Sequence, residues 1–360
     1  MKIGILSMQK VLNYGSFLQA YSLKKQFENK GHDVYFIDIE EGRQIVESVN
    51  VKLFTLKKLF QGKIIKRLQN YFMFKKMSKI HIEDYVKYLE TDKKLPEGEN
   101  FDLVIIGSDE VFNCLAPTTW GFSSQLFGNI KNADKVITYA ASCGQTDYER
   151  VVNADIENEL KSAMDNISLF SVRDNNTKEF VKNITGKDAF LHLDPVFLYD
   201  YDKEIQITQR KKPYLLIYAY INRINDKTEI KRIKKYAKTN GLEIISVGQQ
   251  QRWCKNNVLA NSFQLLSYFI NAESVITDTF HGAVLSIKYN KKLGVLVRES
   301  NKNKLGGLLD QFGLTERILY GEDYSKIMDN GVDYNVVNEI IKNERNRANE
   351  YFNNALEKKE

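Results

Sequence analysis

The fold is decided by the first 39 residues, MKIGILSMQKVLNYGSFLQAYSLKKQFENKGHDVYFIDI. The short apolar run Lys2–Ser7 predicts a buried strand. The next residues predict a helix that Asn13 or Ser16 caps and that Gly31 ends. Its apolar side chains recur at helical spacing, at Phe17, Ala20, Leu23 and Phe27. A second apolar run, Val34–Ile39, predicts the next strand, and this order is typical of a parallel sheet covered by helices.

The same alternation continues along the chain. Further strands of the first half are predicted at Leu103–Ile106, Val136–Ala140, Leu169–Val172 and Phe190–Leu193. The second half predicts strands at Tyr214–Tyr220, Leu242–Val247, Ser274–Thr277 and Leu293–Val297, with helices at Lys227–Lys238, Ser262–Asn271 and Phe280–Tyr289. The sequence therefore predicts an α/β protein with two Rossmann-like domains that face a cleft. We expect an N-terminal domain over 1–203, a C-terminal domain over 204–330 and a terminal helix over 331–360.

The composition excludes several classes of protein. Of the 360 residues, 43% are hydrophobic and 27% charged, which is typical of a globular chain long enough for two domains. No apolar run approaches the roughly 18 to 20 residues that a membrane-spanning helix needs, and the N-terminus does not read as a signal peptide. The three cysteines, Cys114, Cys143 and Cys254, lie far apart, which favours reduced thiols in the cytoplasm and argues against a zinc site.

The positive charge is concentrated in one segment. The formal net charge is +6, but residues 51–82 carry nine basic side chains and no acidic one. We predict that residues 51–95 form a basic, amphipathic helical segment. Two interpretations stay open: a solvated layer of helices over the first sheet, slightly favoured, or a surface that rests on anionic lipid at the inner face of the cell membrane. No nucleic-acid-binding motif accompanies the segment, so nucleic acid is not an expected partner.

Small and polar residues follow the predicted strands. They are Asn13 and Gly15 after the first strand; Ser108, Asp109 and Asn113 after Leu103–Ile106; Ser142 after Val136–Ala140; Arg173 after Leu169–Val172; and Asp278, His281 and Gly282 after Ser274–Thr277. Ligands of parallel α/β sheets bind beyond the carboxyl ends of the strands, so these residues form the candidate site.

Each prominent residue also has a structural interpretation. His281 is either a packing or capping residue of a helix or a catalytic group, and Arg173 is paired with a structural carboxylate or holds an anion. Asp109 is the cap of a helix if taken alone, and His192 is interpreted as structural. The sequence lacks the G-x-G-x-x-G and G-x-x-x-x-G-K-[ST] phosphate loops, the G-x-S-x-G elbow and any metal-ligand spacing.

Six segments together carry a resemblance to a known family. In chain order they are NYGSFLQAY at 13–21, GSDEVFN at 107–113, YAASCG at 139–144, SVRD at 171–174, LDPV at 193–196 and TDTFHG at 277–282. They resemble the motifs of the bacterial polysaccharide pyruvyl transferases, and the likeness runs from residue 1 to about 315. The resemblance also implies the two-domain architecture of GT-B glycosyltransferases. Three positions depart from the family pattern: Glu110 stands for Gln, Phe112 for Trp and Lys304 for Arg.

The resemblance implies a reaction. The pyruvyl group of phosphoenolpyruvate moves onto two hydroxyls of a sugar in a cell-surface polysaccharide precursor, often lipid-linked, and a cyclic ketal and phosphate are formed. His281 is implied as the acid–base group, with Arg173 and Lys304 as cations for the donor. Asp109 is expected to act on the acceptor, and the other strand-end residues are expected to bind substrate: Asn13, Gly15, Ser108, Asn113, Ser142, Asp278 and Gly282. No cofactor or metal is expected beyond the donor itself.

Two other functions stay open from the sequence. A glycosyltransferase that uses a nucleotide sugar has the same two-domain architecture, and fold alone does not exclude it. Its nucleotide ribose requires an acidic side chain near a strand end of the second half, where Glu299 is the candidate. A non-catalytic family member that acts as a scaffold is the third function, although the presence of Arg173, Asp109 and His281 argues against it.

Overall fold

A computed structural model describes residues 1–9, 11–45, 64–221 and 223–357, with side chains for all of these except residues 64–70. The chain divides into two compact units. Among the described residues, the first unit comprises 1–45, 82–199 and 342–357, and the second comprises 64–81 and 200–341. The division at residue 199 lies four residues before the end predicted for the N-terminal domain.

The first unit is built on a parallel sheet. Its strands are β1 (Lys2–Leu6), β2 (Asp33–Phe36), β3 (Leu103–Ile106), β4 (Val136–Thr138) and β5 (Ile167–Leu169). They lie in the order β2-β1-β3-β4-β5, and every pair is parallel. All four residues of β3 are fully buried, as expected for a strand covered on both faces. The strand order reverses between β1 and β3, and in open α/β sheets this reversal is where ligands bind.

The strand predicted at Leu169–Val172 is divided in the structure. It separates at Phe170 into the end of β5 and the short strand β6 (Ser171–Val172), which pairs with β7 (Phe190–Leu191) in a two-stranded sheet. The hydroxyl of Thr138 causes the division, because it accepts the N–H of Ser171 at 2.7 Å and donates to its carbonyl at 2.8 Å. A side chain thus replaces the ladder bonds at the division, and backbone bonds resume where Ala141 pairs with Val172.

The second unit repeats the architecture with a different strand order. Its strands are β8 (Tyr214–Tyr218), β9 (Glu243–Val247), β10 (Asn256–Val258), β11 (Ser274–Thr277) and β12 (Lys292–Val295). They lie in the parallel order β10-β9-β8-β11-β12, so the reversal falls between β8 and β11. Both units are therefore Rossmann-like, and this part of the fold prediction is confirmed.

The helices follow the strands in the expected alternation. Those of the first unit are α1 (Tyr14–Glu28), α3 (Tyr148–Asn153), α4 (Glu157–Met164) and α5 (Asn175–Thr185), and α2 (Ile64–Asp84) precedes β3. Those of the second are α6 (Lys227–Thr239), α7 (Ser262–Ile270), α8 (Phe280–Lys288), α9 (Lys302–Gln311) and α10 (Ser325–Met328), and α11 (Tyr334–Leu356) closes the chain.

The basic segment is shorter than predicted at its C-terminal end. Residues 51–63 lie outside the described residues, and α2 with the π-helical turn that follows it ends at Leu89 rather than at residue 95. Glu90 has a φ of +54°, which is left-handed and stops the helix there.

The last part of α11 packs on the first unit. The Tyr351 hydroxyl donates to the carbonyls of Thr138 and Leu169 at 2.8 and 3.0 Å, and the Phe352 ring lies 4.6 Å from that of Tyr139. The helix predicted over 331–360 thus begins at Tyr334, and residues 342–357 belong to the first unit. Residues 358–360 lie outside the described residues.

Candidate active site

The loop after β1 and the loop after β3 meet at the reversal of the first sheet. Asn13 caps α1: its side-chain oxygen accepts the N–H of Ser16 at 2.8 Å, and its amide donates to the Ser16 hydroxyl at 3.0 Å. The Ser16 hydroxyl in turn donates to a carboxylate oxygen of Asp109 at 3.0 Å. Gly15 is buried in the first turn of α1. Three residues of the predicted site, Asn13, Gly15 and Asp109, are thereby brought together.

Asp109 has an uncommon backbone conformation. Its φ is +74°, which costs a non-glycine residue roughly 1 to 3 kcal/mol and is found disproportionately at functional sites. The preceding Ser108 is fully buried, and its hydroxyl donates to the carbonyl of Ala140 at 2.7 Å. The carbonyl of Asp109 accepts the N–H of Ser142 at 2.9 Å. The ends of β3 and β4 therefore hold Asp109 in place from both sides.

Arg173 lies between two carboxylates. Its Nη1 donates to Asp194 Oδ2 at 3.0 Å, and its Nη2 lies 3.7 Å from Asp109 Oδ1. The side chains of Arg173 and Asp194 are 4% and 0% exposed, whereas that of Asp109 is 20% exposed. Asp194 is further fixed by the N–H of Val196, which donates to its other oxygen at 3.0 Å. One guanidinium and two carboxylates leave this cluster with a formal negative charge.

Asp194 is the site residue that sequence reasoning missed. In the sequence, the pair Asp194-Pro195 is typical of the end of a strand, and in the structure Asp194 caps a short 3₁₀ turn over Pro195–Phe197. The parallel pairing of β6 with β7 aligns Val172 with Leu191, which carries Arg173 and Asp194 to the same strand ends. Asp194 directly follows the predicted strand Phe190–Leu193, so the strand-end rule would have found it had it been applied there.

Asn113 and Ser142 are engaged within the first unit. Asn113 donates to Glu110 Oε2 at 2.6 Å and accepts the hydroxyl of Thr146 at 2.7 Å. The buried Ser142 hydroxyl donates to Asp174 Oδ2 at 2.7 Å. Phe112, which stands where the family has Trp, is fully buried, and its ring stacks on that of Phe127 at 5.3 Å. It belongs to the hydrophobic core of this unit.

His192 has the structural role that its alternation predicted. It is 2% exposed, and its Nδ1 lies 2.8 Å from the Ser171 hydroxyl. That hydroxyl also accepts the N–H of Ala140 at 3.0 Å. Burial lowers the pKa of His192 to about 4, and the positive charge of Arg347 acts in the same direction.

The second unit buries a carboxylate at its own sheet reversal. Asp278 follows β11, is fully buried and accepts the N–H of Tyr220, which follows β8, at 3.1 Å. Its Oδ2 lies 3.7 Å from Nε of Arg223. Burial raises the pKa of Asp278 to about 6, although Arg223, the Tyr220 N–H and Arg298 act to lower it.

Two arginines near Asp278 were not among the predicted site residues. The guanidinium of Arg223 lies 5.0 Å from the ring centre of Tyr220, and its Nη2 donates to the hydroxyl of Ser300. Arg298 donates to Glu229 Oε2 at 2.7 Å. Arg223 follows β8, so the strand-end rule would have found it had it been applied to that strand as well.

His281 lies in the first turn of α8, immediately after the loop that Asp278 begins. Thr279 caps this helix by accepting the N–H of Gly282 at 2.9 Å. A Cβ on Gly282 would lie 2.0 Å from the Thr277 hydroxyl, so the close approach of α8 to β11 requires glycine. His281 is half-buried, and its ring packs edge-on to that of Phe280, with centres 5.3 Å apart.

Three further residues of the second half lie as follows. Lys304 is half-buried in the first turn of α9. Trp253 packs against the core of the second unit, and Arg252 beside it is exposed.

Within the described residues, no three His, Cys, Asp or Glu side chains are placed to hold a metal ion. A search of the same residues finds no helix long and apolar enough to cross a membrane.

Comparison with known families decides the assignment. A model of the polysaccharide pyruvyl transferase family matches residues 13–300, which include every predicted site residue except Lys304. The chain belongs to the polysaccharide pyruvyl transferase family. Membership places it among transferases, with a polysaccharide or glycan as acceptor. No curated protein matches the sequence significantly.

Solved structures with a similar fold include UDP-GlcNAc 2-epimerases and a glycosyltransferase. A UDP-GlcNAc 2-epimerase from Neisseria meningitidis is 11% identical, covers 96% of this chain and 94% of its own, and has a TM-score of 0.47. The glycosyltransferase SnogD from Streptomyces nogalater is 11% identical, with coverages of 98% and 99% and a TM-score of 0.45. A UDP-GlcNAc 2-epimerase from Methanocaldococcus jannaschii is 12% identical, with coverages of 91% and 91% and a TM-score of 0.44.

Proposed function

We propose that this pyruvyl transferase uses phosphoenolpyruvate as donor and forms a cyclic ketal on two hydroxyls of a sugar in a polysaccharide precursor. The family match over residues 13–300 carries the proposal. The chemistry of the strand-end residues supports it, since a buried arginine, an aspartate and a helix-terminal histidine suit an anionic donor and proton transfer.

The reaction makes three demands on the protein. The methylene carbon of the donor takes up a proton, which leaves an oxocarbenium-like centre at the neighbouring carbon. Two sugar hydroxyls add to that centre in turn, and its bond to the phosphate oxygen breaks. Of the two hydroxyl protons, one balances the proton taken up by carbon and the other leaves with phosphate. The protein must therefore hold an anion, supply a proton and accept protons.

Arg173 is the proposed clamp for the phosphate or carboxylate of the donor. Its Nη1 is held by the fully buried Asp194, which fixes the plane of the guanidinium. Its Nη2 lies at the looser distance of 3.7 Å from Asp109, the more exposed carboxylate. An anion that binds here would compete with Asp109 for Nη2, because this contact is the looser and more exposed of the two. Asp109 is then available to orient or deprotonate an acceptor hydroxyl.

His281 is the proposed acid–base group, and Lys304 the proposed second cation. His281 lies in the first turn of α8 and Lys304 in the first turn of α9, and the N-terminus of a helix suits an anionic donor. Lys304 keeps the positive charge that the family's arginine supplies at this position but lacks its bidentate fork.

The remaining site residues have proposed roles that follow from their burial. Asn13 and Asn113 are partly accessible and are proposed to orient acceptor hydroxyls, with the backbone of Gly15. The side chains of Ser108, Ser142 and Asp278 are buried and bonded within their own units, so they would shape the substrate loops from behind. Gly282 would do the same by allowing α8 to approach β11.

Replacing His281 tests the assignment of the acid–base group. We expect His281→Gln to lower phosphate release from phosphoenolpyruvate by about 100- to 10,000-fold, the usual contribution of a general acid or base. The assay would use glycosides with free 4,6- or 3,4-diols and detect the ketal by mass spectrometry. His32→Gln is the matched control, because His32 is also half-buried but lies in a turn before β2. Full transfer by His281→Gln would overturn the assignment.

We further propose that α2 rests on an anionic membrane surface. In this helix Tyr71 and Phe72 are 40% and 57% exposed, and Lys75, Lys76 and Lys79 are exposed as well. Positions 72, 75, 76 and 79 share one helix face by their spacing of three, four and seven residues. Aromatic rings beside lysines suit the boundary between lipid headgroups and acyl chains, and they favour lipid over a purely ionic partner.

Vesicle sedimentation tests the proposed membrane surface. Each near-surface lysine contributes about 1 kcal/mol to binding of anionic lipid, so replacing Lys75, Lys76 and Lys79 with Glu should weaken the association by roughly 100-fold or more. The matched control replaces three exposed lysines of α6 in the same way: Lys231, Lys235 and Lys238. Equal sedimentation of the wild type with anionic and neutral vesicles would remove the proposal.

A further inference from the structure

Asn301 joins two loops at the carboxyl ends of β11 and β12. Its side-chain amide donates to the carbonyl of Asp278 at 2.7 Å, and its side-chain oxygen accepts the N–H of Arg298 at 2.7 Å. Asn301 is 9% exposed, so both bonds are largely shielded from water. One side chain thereby fixes the distance between the loop after β11 and the loop after β12.

The two side-chain bonds of Asn301 are unusual for a residue that precedes a helix. It occupies the N-cap position of α9, and its own carbonyl accepts the N–H of Leu305 at 2.9 Å. An asparagine at an N-cap usually accepts an N–H of its own first turn, which contributes about 1 kcal/mol to helix stability. Asn301 makes no such side-chain bond. Its amide is used instead between the two loops.

The two loops carry the two second-unit groups assigned to the reaction. Asp278 begins the turn that leads, three residues later, to His281 in the first turn of α8. Lys304 lies three residues after Asn301, in the first turn of α9. The carboxylate of Asp278 is bonded to the N–H of Tyr220, so the loop after β8 is tied into the same arrangement. A shift of Asn301 would therefore displace the starts of both helices relative to each other.

We propose that Asn301 is a positioning residue that sets the geometry between His281 and Lys304. The roles of His281 and Lys304 in this inference rest on the proposed function. The positioning role of Asn301 rests on its two hydrogen bonds. A displacement of about 1 Å between reacting groups is enough to cost about 100-fold in rate, so a small change in these loops has a measurable effect.

An isosteric variant separates the two bonds of Asn301. Asn301→Asp keeps an oxygen that accepts the N–H of Arg298 but replaces the donor to the Asp278 carbonyl with a second oxygen. The matched control is Asn303→Asp, which makes the same charge change at an exposed position in the first turn of α9. Asn301→Ser, which removes the amide without adding charge, is the second variant in case Asn301→Asp does not fold.

Kinetics supply the first readout. We expect Asn301→Asp to lower kcat for pyruvyl transfer by about 10- to 100-fold, with KM for phosphoenolpyruvate changed by less than about threefold. The rate falls because alignment is lost, while Lys304 keeps its charge toward the donor. Asn303→Asp should stay within about twofold of the wild type. Retention of kcat by a folded Asn301→Asp variant would overturn the inference.

Nuclear magnetic resonance supplies a readout that does not depend on the reaction. The chain has four histidines, so the ring signals of His281 can be assigned by their loss in His281→Gln. Asn301→Asp and Asn301→Ser should move these signals, and Asn303→Asp should move them much less. If the wild type transfers no pyruvyl group, the proposed function fails while this readout still decides the positioning role. Equal movement in the Asn301 and Asn303 variants would overturn that role.

Discussion

The two units of this protein bury charged groups of opposite sign near the carboxyl ends of their strands. In the first unit, a buried cation, Arg173, lies between two carboxylates at 3.0 and 3.7 Å. In the second unit, a buried anion, Asp278, lies 3.7 Å from Arg223 and has a second arginine, Arg298, nearby. Each unit therefore buries a charged group near the carboxyl ends of its strands, a cation after β6 in the first unit and an anion after β11 in the second.

This difference suits the two groups to their proposed roles, Arg173 to meet substrate and Asp278 to support the loops. Of the two carboxylates beside Arg173, Asp194 is close and buried and Asp109 is more distant and partly exposed, so an incoming anion would compete with Asp109. Asp278 has no exposed surface, and its Oδ1 accepts a backbone N–H. We therefore expect the first unit to respond most to loss of a charged partner, and the second to respond to the protonation of its buried carboxylate.

The largest expected effect contrasts the two partners of Arg173. Asp194→Asn removes the tight, fully buried partner and should lower the free energy of unfolding by about 3 to 5 kcal/mol, as expected when a buried ion pair is broken. Asp109→Asn removes the loose partner and should cost less than about 1 kcal/mol, helped by the tolerance of Asn for a positive φ. Urea denaturation measures both, and equal losses would contradict the ranking of the two carboxylates.

Protonation of His192 should destabilise the first unit in acid. Burial lowers its pKa to about 4 in the folded chain, below the ordinary value of 6.5. The contribution of the neutral ring is thus present above pH 6.5 and is lost as the pH falls toward 4, a change of about 3 kcal/mol. The difference in unfolding free energy between the wild type and His192→Asn should shrink by this amount from pH 7 to pH 4. A difference that does not depend on pH would refute it.

Asp278 should change the stability of the second unit in the opposite direction. Burial raises its pKa to about 6 from the ordinary 3.8, so the folded chain favours the protonated carboxyl. Its contribution is present below pH 4 and is lost as the pH rises through 6, again by about 3 kcal/mol. Relative to Asp278→Asn, the wild type should lose this stability between pH 4 and pH 7. If the wild type instead gained stability over that range, the buried carboxylate would be ionised in the fold.

The smallest expected effects compare two glycines of the second unit. Gly282→Ala should cost about 1 to 3 kcal/mol, because its Cβ would lie 2.0 Å from the Thr277 hydroxyl and force α8 from β11. Gly306→Ala should raise stability by about 0.5 to 1 kcal/mol, since it lies inside α9 with no atom within 4 Å of the new Cβ. Thermal unfolding of the two variants checks the signs, and a shift in the same direction for both would contradict the account.

Much of the fold could be predicted because buried parallel strands are apolar throughout. The bounds of β3 and β11 agree with the prediction residue for residue, since each is a four-residue run buried on both faces. The edge strand β10 was not predicted, because Asn256 and Asn257 give it no apolar signal. The division at Phe170 was also missed, since it depends on a hydroxyl 33 residues away at Thr138.

The sequence could predict individual residues of the candidate site but not the contacts between them. The strand-end rule identifies Arg173, Asp109 and His281, because it depends on local sequence. Applied to the predicted strand Phe190–Leu193 it would also mark Asp194, but it does not show that Asp194 bonds to Arg173, because that contact depends on the pairing of β6 with β7. The use of Asn301 was hidden for a similar reason: an asparagine before a helix indicates a cap, and its actual partner, Asp278, is 23 residues away.

The most direct test of the central claim is the calorimetric binding of phosphoenolpyruvate, measured beside UDP-, GDP- and CMP-sugars. It requires no knowledge of the acceptor. The account predicts that phosphoenolpyruvate binds, that the nucleotide sugars do not, and that Arg173→Lys, which removes the fork but keeps the charge, weakens binding by about tenfold or more. Binding of a nucleotide sugar without binding of phosphoenolpyruvate would contradict the account and indicate a glycosyltransferase.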